Sequence, residues 1–356
     1  MKIGKLKTDL LEKYIFDKLV SNRKEVIMGG GTGLDNAVMD FGGDLIVAST
    51  DPITGASKNL GSLAINISVN DVSCQCADPV GVLMTLLIPP TADIDDLKEI
   101  VNDATRTAEE LNVDIVGGHT EVTDAVNKIV ISTTVIGRVN KDRRPDIKSV
   151  KPGDVLAVSK YLGIEGTSII AHEKNQVKEI LKEEEYEFAK SLSREISVLK
   201  ESKIAGKYSV KHMHDITEGG LFGAVWETSR ALGHGIRIYN DLIPLLDVTR
   251  KISDFYEINP MKLISSGSML MVFDKESFDG FKKEAEEKGI KVTKIGEVNG
   301  ENEAIVKYED REIILEDPDP DELYKVVWNY YNSVTLLTII TKVYKLYLGE
   351  LNEKNY

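Results

Sequence analysis

Acidic and polar residues recur in this sequence where predicted strands end or glycine turns begin: Asp35, Asp51, Asn70-Asp71, His119-Thr120-Glu121, and Asp215 with Glu218. Carboxylates gathered at one mouth repel each other unless a cation shares them. Magnesium takes oxygen ligands, keeps part of its water shell and bridges carboxylates to phosphate oxygens. The run Gly29-Gly30-Gly31-Thr32-Gly33 is a loop whose backbone N–H groups can approach phosphates closely. Together these parts suit phosphoryl transfer, which is catalysed mainly by positioning and charge neutralisation.

Each part alone says little. A strand-end Asp is commonly a cap or turn residue. The glycine run lacks the Gly-Lys-Ser/Thr of a Walker A loop and the strand–helix setting of a dinucleotide fingerprint. His119 reads equally well as a general acid/base or as a turn residue. His212 and His214 form an H-x-H pair with no third ligand in view, so they do not predict a metal site. His172 and His234 read as surface or turn residues. Cys74 and Cys76, the only cysteines, read as reduced thiols beside the Asp71 segment.

Positioning these residues requires alternating strands and helices. Apolar spacing predicts a helix over 10–20, a short strand over 44–50 ending at Asp51, and an apolar run over 61–71 ending at Asn70-Asp71. A β-type run over 80–88 is closed by Pro89-Pro90. The next helix, capped by Asp93 or Asp95, carries an apolar stripe from Ile94 to Leu111. Strands follow at 114–116, running into Gly117-Gly118, and at 128–139. Beyond a polar stretch at 141–152 the mixed pattern repeats: a strand at 154–159, a charged helix from about 174 to 200, and a helix at 221–232. A strand at 269–273, a helix at 275–288 and strands to about 315 complete it. The tail 320–348 has apolar and aromatic residues at helical spacing. The class is α/β (α+β), with domains at 1–145 and 146–325 and a helical tail at 326–356.

Bulk properties narrow the function. A chain of 356 residues exceeds one ordinary core. A net charge of −14 argues against a nucleic-acid partner and makes a polyphosphate dependent on a metal. No apolar run reaches the ~18 residues a membrane span needs, and no secretory signal is visible. The expectation is a cytoplasmic protein acting on a small molecule.

The ordered set resembles the AIR synthetase (PurM) superfamily, through GLDNAV (33–38), STD (49–51), GSLAINISVNDVSCQCADPVGVLMTLLIPP (61–90), GGHTEV (117–122), KPGDVLAVSK (151–160) and HDITEGGLFGAVWE (214–227). HDITEGGL, GKL (4–6) and INPMKLISSGSML (258–270) look closest to its hydrogenase-maturation HypE branch. The resemblance implies a homodimer sharing a β-barrel built by the N-terminal domains, with ATP and Mg²⁺ in a cleft against the C-terminal domain. It implies Asp35, Asp51 and Asp71 as metal-facing carboxylates; the acid usual after the glycine pair is His119 here, so either Glu121 takes the metal or that coordination site is weaker. Asn70, Gly117, Gly118, Thr120 and Lys58 are implied around the nucleotide, and His119 and Asp215 in catalysis. The HypE branch carries its acceptor thiol on a C-terminal cysteine, whereas this sequence ends GELNEKNY with no cysteine after Cys76. The expected activity is therefore the shared one, ATP-dependent activation of a small substrate at an amide or carboxamide oxygen. The alternatives are a small-molecule kinase similar to thiamine-monophosphate kinase, and a non-catalytic nucleotide-binding scaffold.

Overall fold

The computed structural model describes residues 8–14, 24–29, 31–34, 36–53 and 59–327. Gly30, Asp35, Lys58 and the tail from 328 onward lie outside the described residues. The first half holds helices α1 (Thr8–Tyr14), α2 (Leu60–Ser73) and α3 (Ile94–Leu111). Its strands are β1 (Val26–Met28), β2 (Ala37–Asp40), β3 (Leu45–Ile53), β4 (Asp78–Ile88), β5 (Asp114–Val122) and β6 (Val130–Val139). They form one sheet in the order β1-β2-β3-β6-β4-β5, antiparallel except between β4 and β5.

After two 3-10 turns between 141 and 149, a second sheet begins. Its elements run β7 (Val155–Ser159), α4 (Ile164–Glu173), α5 (Glu183–Ser191), α6 (Leu199–Ala205), β8 (His212–Asp215), α7 (Gly220–Leu232), β9 (Ile236–Tyr239) and α8 (Asp247–Phe255). Then come β10 (Met269–Phe273), α9 (Lys275–Glu287), β11 (Val292–Val298), β12 (Ala304–Lys307), β13 (Glu312–Ile314) and α10 (Leu323–Val327). The strand order is β13-β12-β9-β11-β7-β10-β8. Every residue of the central strands β7 and β10 is buried, which accounts for their unbroken apolar runs. No described helix is long and apolar enough to cross a membrane.

Three expectations need correction. The 61–71 run, whose Ile65, Ile67 and Val69 alternate as in a strand, is the helix α2. Twelve of its fourteen residues are buried. Ile65, Val69 and Val72 pack with Val47, Val82 and Val135 of the first sheet. Leu60, Leu63 and Ala64 join Ile164, Ile170 and Ile196 of the second half. A helix covered on all sides shows no polar stripe, so its period is hidden. The charged stretch at 174–200 is not one helix: a 3-10 turn, α5, another 3-10 turn and the start of α6 divide it. Finally, β5 runs straight through Gly117 and Gly118 rather than stopping before them.

Close approach explains two glycines. On α2, a Cβ at Gly61 would lie 2.0 Å from the Ile100 carbonyl oxygen of α3. On β5, a Cβ at Gly118 (φ 148°) would lie 1.9 Å from the Met84 carbonyl oxygen of β4. Helix α3 itself is held by Asp93, whose Oδ1 accepts from the Asp95 N–H at 3.1 Å, while Asp96 Oδ2 accepts from the Asp93 N–H at 3.2 Å.

The halves are tied by a side chain as well as by apolar contact. Asn70, with no exposed surface, donates Nδ2 to the Ile196 carbonyl at 2.9 Å and accepts the Val198 N–H on Oδ1 at 2.9 Å. Lys160 holds the same loop from the other side through the carbonyls of Glu195 and Ser197, at 2.9 and 2.7 Å.

Gly61→Ala should push α2 and α3 apart and cost about 1–3 kcal/mol by overpacking. Urea denaturation reads this as a lower midpoint; an unchanged midpoint would mean that the two helices separate freely.

Candidate functional site

Strand β3 turns Leu45, Val47, Ser49, Asp51 and Ile53 to the covered face, because side chains alternate along it. On that face the Ser49 hydroxyl donates to Asp71 Oδ2 at 2.5 Å. Asp51 lies two residues further along, on the same side. Its partner across β6 is Thr133, whose hydroxyl is 2.5 Å from Ser68 Oγ and 3.0 Å from the Ala64 carbonyl. The end of β3 and the last turns of α2 thus frame two carboxylates.

Asp71 is only 3% exposed and sits in the last turn of α2, where the helix's own carbonyl dipoles already point. A carboxylate there is unfavourable unless a donor or cation answers it. The Asp71 carbonyl accepts from Asn36 Nδ2 at 3.0 Å, and the Cys74 N–H caps the carbonyls of Asn70 and Asp71 at 3.1 Å each.

The second half meets this end of α2 through β8. Asp215, 1% exposed, takes a weak hydrogen bond on Oδ1 from the Cys74 thiol at 3.6 Å. The neighbouring His214 places Nε2 at 3.0 Å from Glu227 Oε2 and Nδ1 at 3.9 Å from Asp215 Oδ1. Asn36, Asp71, Cys74, His214 and Asp215 line one recess, so a carboxylate from each half opens into the same space.

Burial sets the protonation around it. It holds His212 down to about 3, helped by the neighbouring His214, so that imidazole stays neutral. It pushes Glu165 up to about 7, with the charge of Asp215 adding to the shift. Burial likewise pushes Asp321 up to about 7, partly offset by N–H groups of Leu323 and Gly219 and reinforced by Glu218. The Cys76 thiol is raised to about 12 by burial and stays protonated.

The donors at the end of β3 and α2 are carboxylate and hydroxyl oxygens, the kind magnesium takes. Among the described residues no three His, Cys, Asp or Glu side chains are gathered to hold a metal by themselves. An ion here would draw its remaining ligands from water or from a phosphate.

Strand β5 does not join this group within one chain. Register runs Asp51 to Thr133, Thr133 to Met84 and Met84 to Gly118. Three strand spacings separate Asp51 from Gly118, about 14 Å. Glu121 lies further along β5 still, so it does not share an ion with Asp51 and Asp71 of its own chain. His119 and Glu121 are 68% and 54% exposed and 3.6 Å apart. Thr120 is exposed on the same strand. Asn70 also departs from expectation, since both ends of its amide are engaged by the 196–198 backbone. The sequence treats all these as strand-end residues, but sheet order decides which of them meet.

Sequence reasoning did not single out Asn36 and His214 as lining the recess, nor Ser49 and Glu227 as the partners of Asp71 and His214. Strand alternation carries a signal for Ser49, two positions before Asp51. For Glu165 the signal is a lone acid in the apolar run Leu162–Ile170. The His214–Glu227 pair is formed only by packing α7 on β8.

Two domain models of one family match the chain in order: AIR synthase related protein, N-terminal domain, over residues 33–139, and its C-terminal domain over 151–309. A putative hydrogenase expression/formation protein of Methanocaldococcus jannaschii is 29% identical over 279 residues, covering 75% of this chain and 80% of the relative. The carbamoyl dehydratase HypE of Escherichia coli (strain K12) is 27% identical over 251 residues, covering 68% and 72%. A crystal structure of hydrogenase maturation protein HypE in complex with ATP superposes with a TM-score of 0.67 at 21% identity, over 81% of this chain and 89% of that one. Two sheets of the same two-domain plan, carrying both domain signatures across most of their length, place this chain in the AIR synthase related protein family.

Proposed function

We propose that this protein binds ATP with magnesium in the recess between its two halves and activates an oxygen of a small substrate by phosphoryl transfer, in hydrogenase-maturation-type chemistry. The observation that carries this reading is the meeting of Asp71 and Asp215, one from each half, on a single recess. ATP in the related HypE structure and the carbamoyl dehydratase relatives support it.

In this reading Asp51 and Asp71 hold the ion, with Ser49 fixing the Asp71 carboxylate through its hydroxyl. Magnesium, when bound, supplies neutralisation of triphosphate charge. Asp215 faces the transferred group from the second half, oriented by the Cys74 thiol and neighboured by the His214–Glu227 pair. Asn70 keeps the two walls at a constant separation, so the geometry is set before any ligand arrives.

The dimer belongs to the same proposal. No residue of β5 is buried, and Val116 and Val122 are 60% and 65% exposed. Leu83 on the adjacent β4 is 42% exposed. A long, partly apolar edge strand invites pairing or cover. A second copy provides that cover and gives Gly117 through Glu121 a route to the recess of its mate.

Asp71→Asn should weaken MgATP binding at least tenfold by isothermal titration calorimetry, and omission of magnesium should do the same to the parent protein. Equal affinity in the variant would reject the assignment. In sedimentation velocity the parent should run as a dimer, and the double substitution Val116→Lys, Val122→Lys as a folded monomer with lower MgATP affinity. A monomeric parent would remove the second-copy part of the reading.

A further inference from the structure

A second cavity opens between the start of α2 and the outer face of α4. Asn59 and Leu63 form one wall; Glu165, Ile169, His172 and Ile196 form much of the other. Nothing in the nucleotide reading uses it. Among its lining residues is Glu165, only 4% exposed, whose Oε2 has no hydrogen-bond partner. The Ser266 hydroxyl and amide N–H lie beside the carboxyl and offset part of the effect of its burial. The only charge acting on the group among the described residues is Asp215, of the same sign. Removing a carboxyl from water without a cation is costly, and burial accordingly raises its proton affinity.

The other polar groups on these walls are mainly acceptors. The ring Nδ1 of His172 lies 2.8 Å from the Ser168 carbonyl. A carbonyl only accepts, so Nδ1 carries a proton, and in the Nδ1–H tautomer Nε2 is the ring's acceptor. The Ser168 hydroxyl has given its hydrogen to the Lys190 carbonyl at 3.0 Å and keeps only lone pairs. The Asn59 side chain caps nothing on α2 and can offer its carbonyl oxygen. Between these groups lie the apolar side chains of Leu63, Ile169 and Ile196. An acid with no opposite charge beside it among the described residues, flanked by acceptors on His172, Ser168 and Asn59 and by aliphatic carbon, has as its complement a compact cation with several N–H donors, and the hydroxyls of Ser193 and Ser266 can accept from it as well.

We infer that this cavity binds a primary ammonium group on a short aliphatic body, with Glu165 as its counter-ion and His172 Nε2 and Asn59 as further acceptors. In the phosphoryl-transfer reading, an amine-bearing substrate anchored here, within electrostatic reach of Asp215, would direct its other end toward the recess. That catalytic meaning rests on the phosphoryl-transfer reading, whereas binding of the cation does not.

The test is thermal unfolding of the full chain with ethylammonium chloride, against potassium chloride, tetramethylammonium chloride and neutral acetamide at equal concentration. Ethylammonium alone should raise the melting temperature in a saturable way. Glu165→Gln, isosteric with the protonated acid, should weaken that response at least tenfold while MgATP still binds. Ile169→Phe, which fills the cavity and leaves the carboxyl in place, should also abolish it, so the outcome does not depend on one variant folding. No response to ethylammonium, an equal response to tetramethylammonium, potassium or acetamide, or an undiminished response in Glu165→Gln would each overturn the inference. MgATP titrations run alongside separate its failure from that of the nucleotide site.

Discussion

Helix α2 has to be buried on every side, and the rest of the molecule is arranged around that requirement. One flank completes the core of the first sheet and the other completes the core shared with α4 and the loop at 196. Such a helix cannot turn a polar face to water, so each polar group on it must find a protein partner. Asn70 finds the backbone of the second half, Ser73 accepts the Ser202 hydroxyl on its carbonyl at 2.6 Å, and Asp71 finds Ser49. The bonds that settle these groups also bring the two halves together beside a carboxylate.

Asp71 is therefore a site residue by position. It sits at the negative end of the helix dipole and opposite Asp215, where added positive charge is favoured. Nearby acids are kept partly protonated by burial rather than by basic partners: Glu165 and Asp321 both titrate near 7. A region so rich in carboxyl groups among the described residues suits a ligand that brings a cation with it. A metal-bearing nucleotide and an amine-bearing substrate both meet that description.

The first sheet shows the opposite condition at its far edge. While α2 is enclosed, β5 is exposed on both faces and carries its glycine pair, His119 and Glu121 about three strands from Asp51. Gly118 serves the sheet itself by letting β5 approach the Met84 carbonyl. A motif that is prominent in the sequence can thus stand apart from its expected companions in one copy of the chain.

Read alone, the sequence determined the broad class and the family signature, and it pointed to a division near residues 141–152. It also determined the capped amphipathic helix α3, and it brought forward Asp51, Asp71 and Asp215 as candidate site residues. These are legible because capping, half-exposed periodicity and strand ends leave local marks. The tertiary structure alone decided that 61–71 is a helix, that Asn70 ties the halves, and that no cation among the described residues stands beside Glu165. It decided too that Glu121 and His119 lie far from Asp51. Each of these depends on what covers an element or on which strand lies beside which, and neighbours distant in the chain leave no mark on the local spacing of residues.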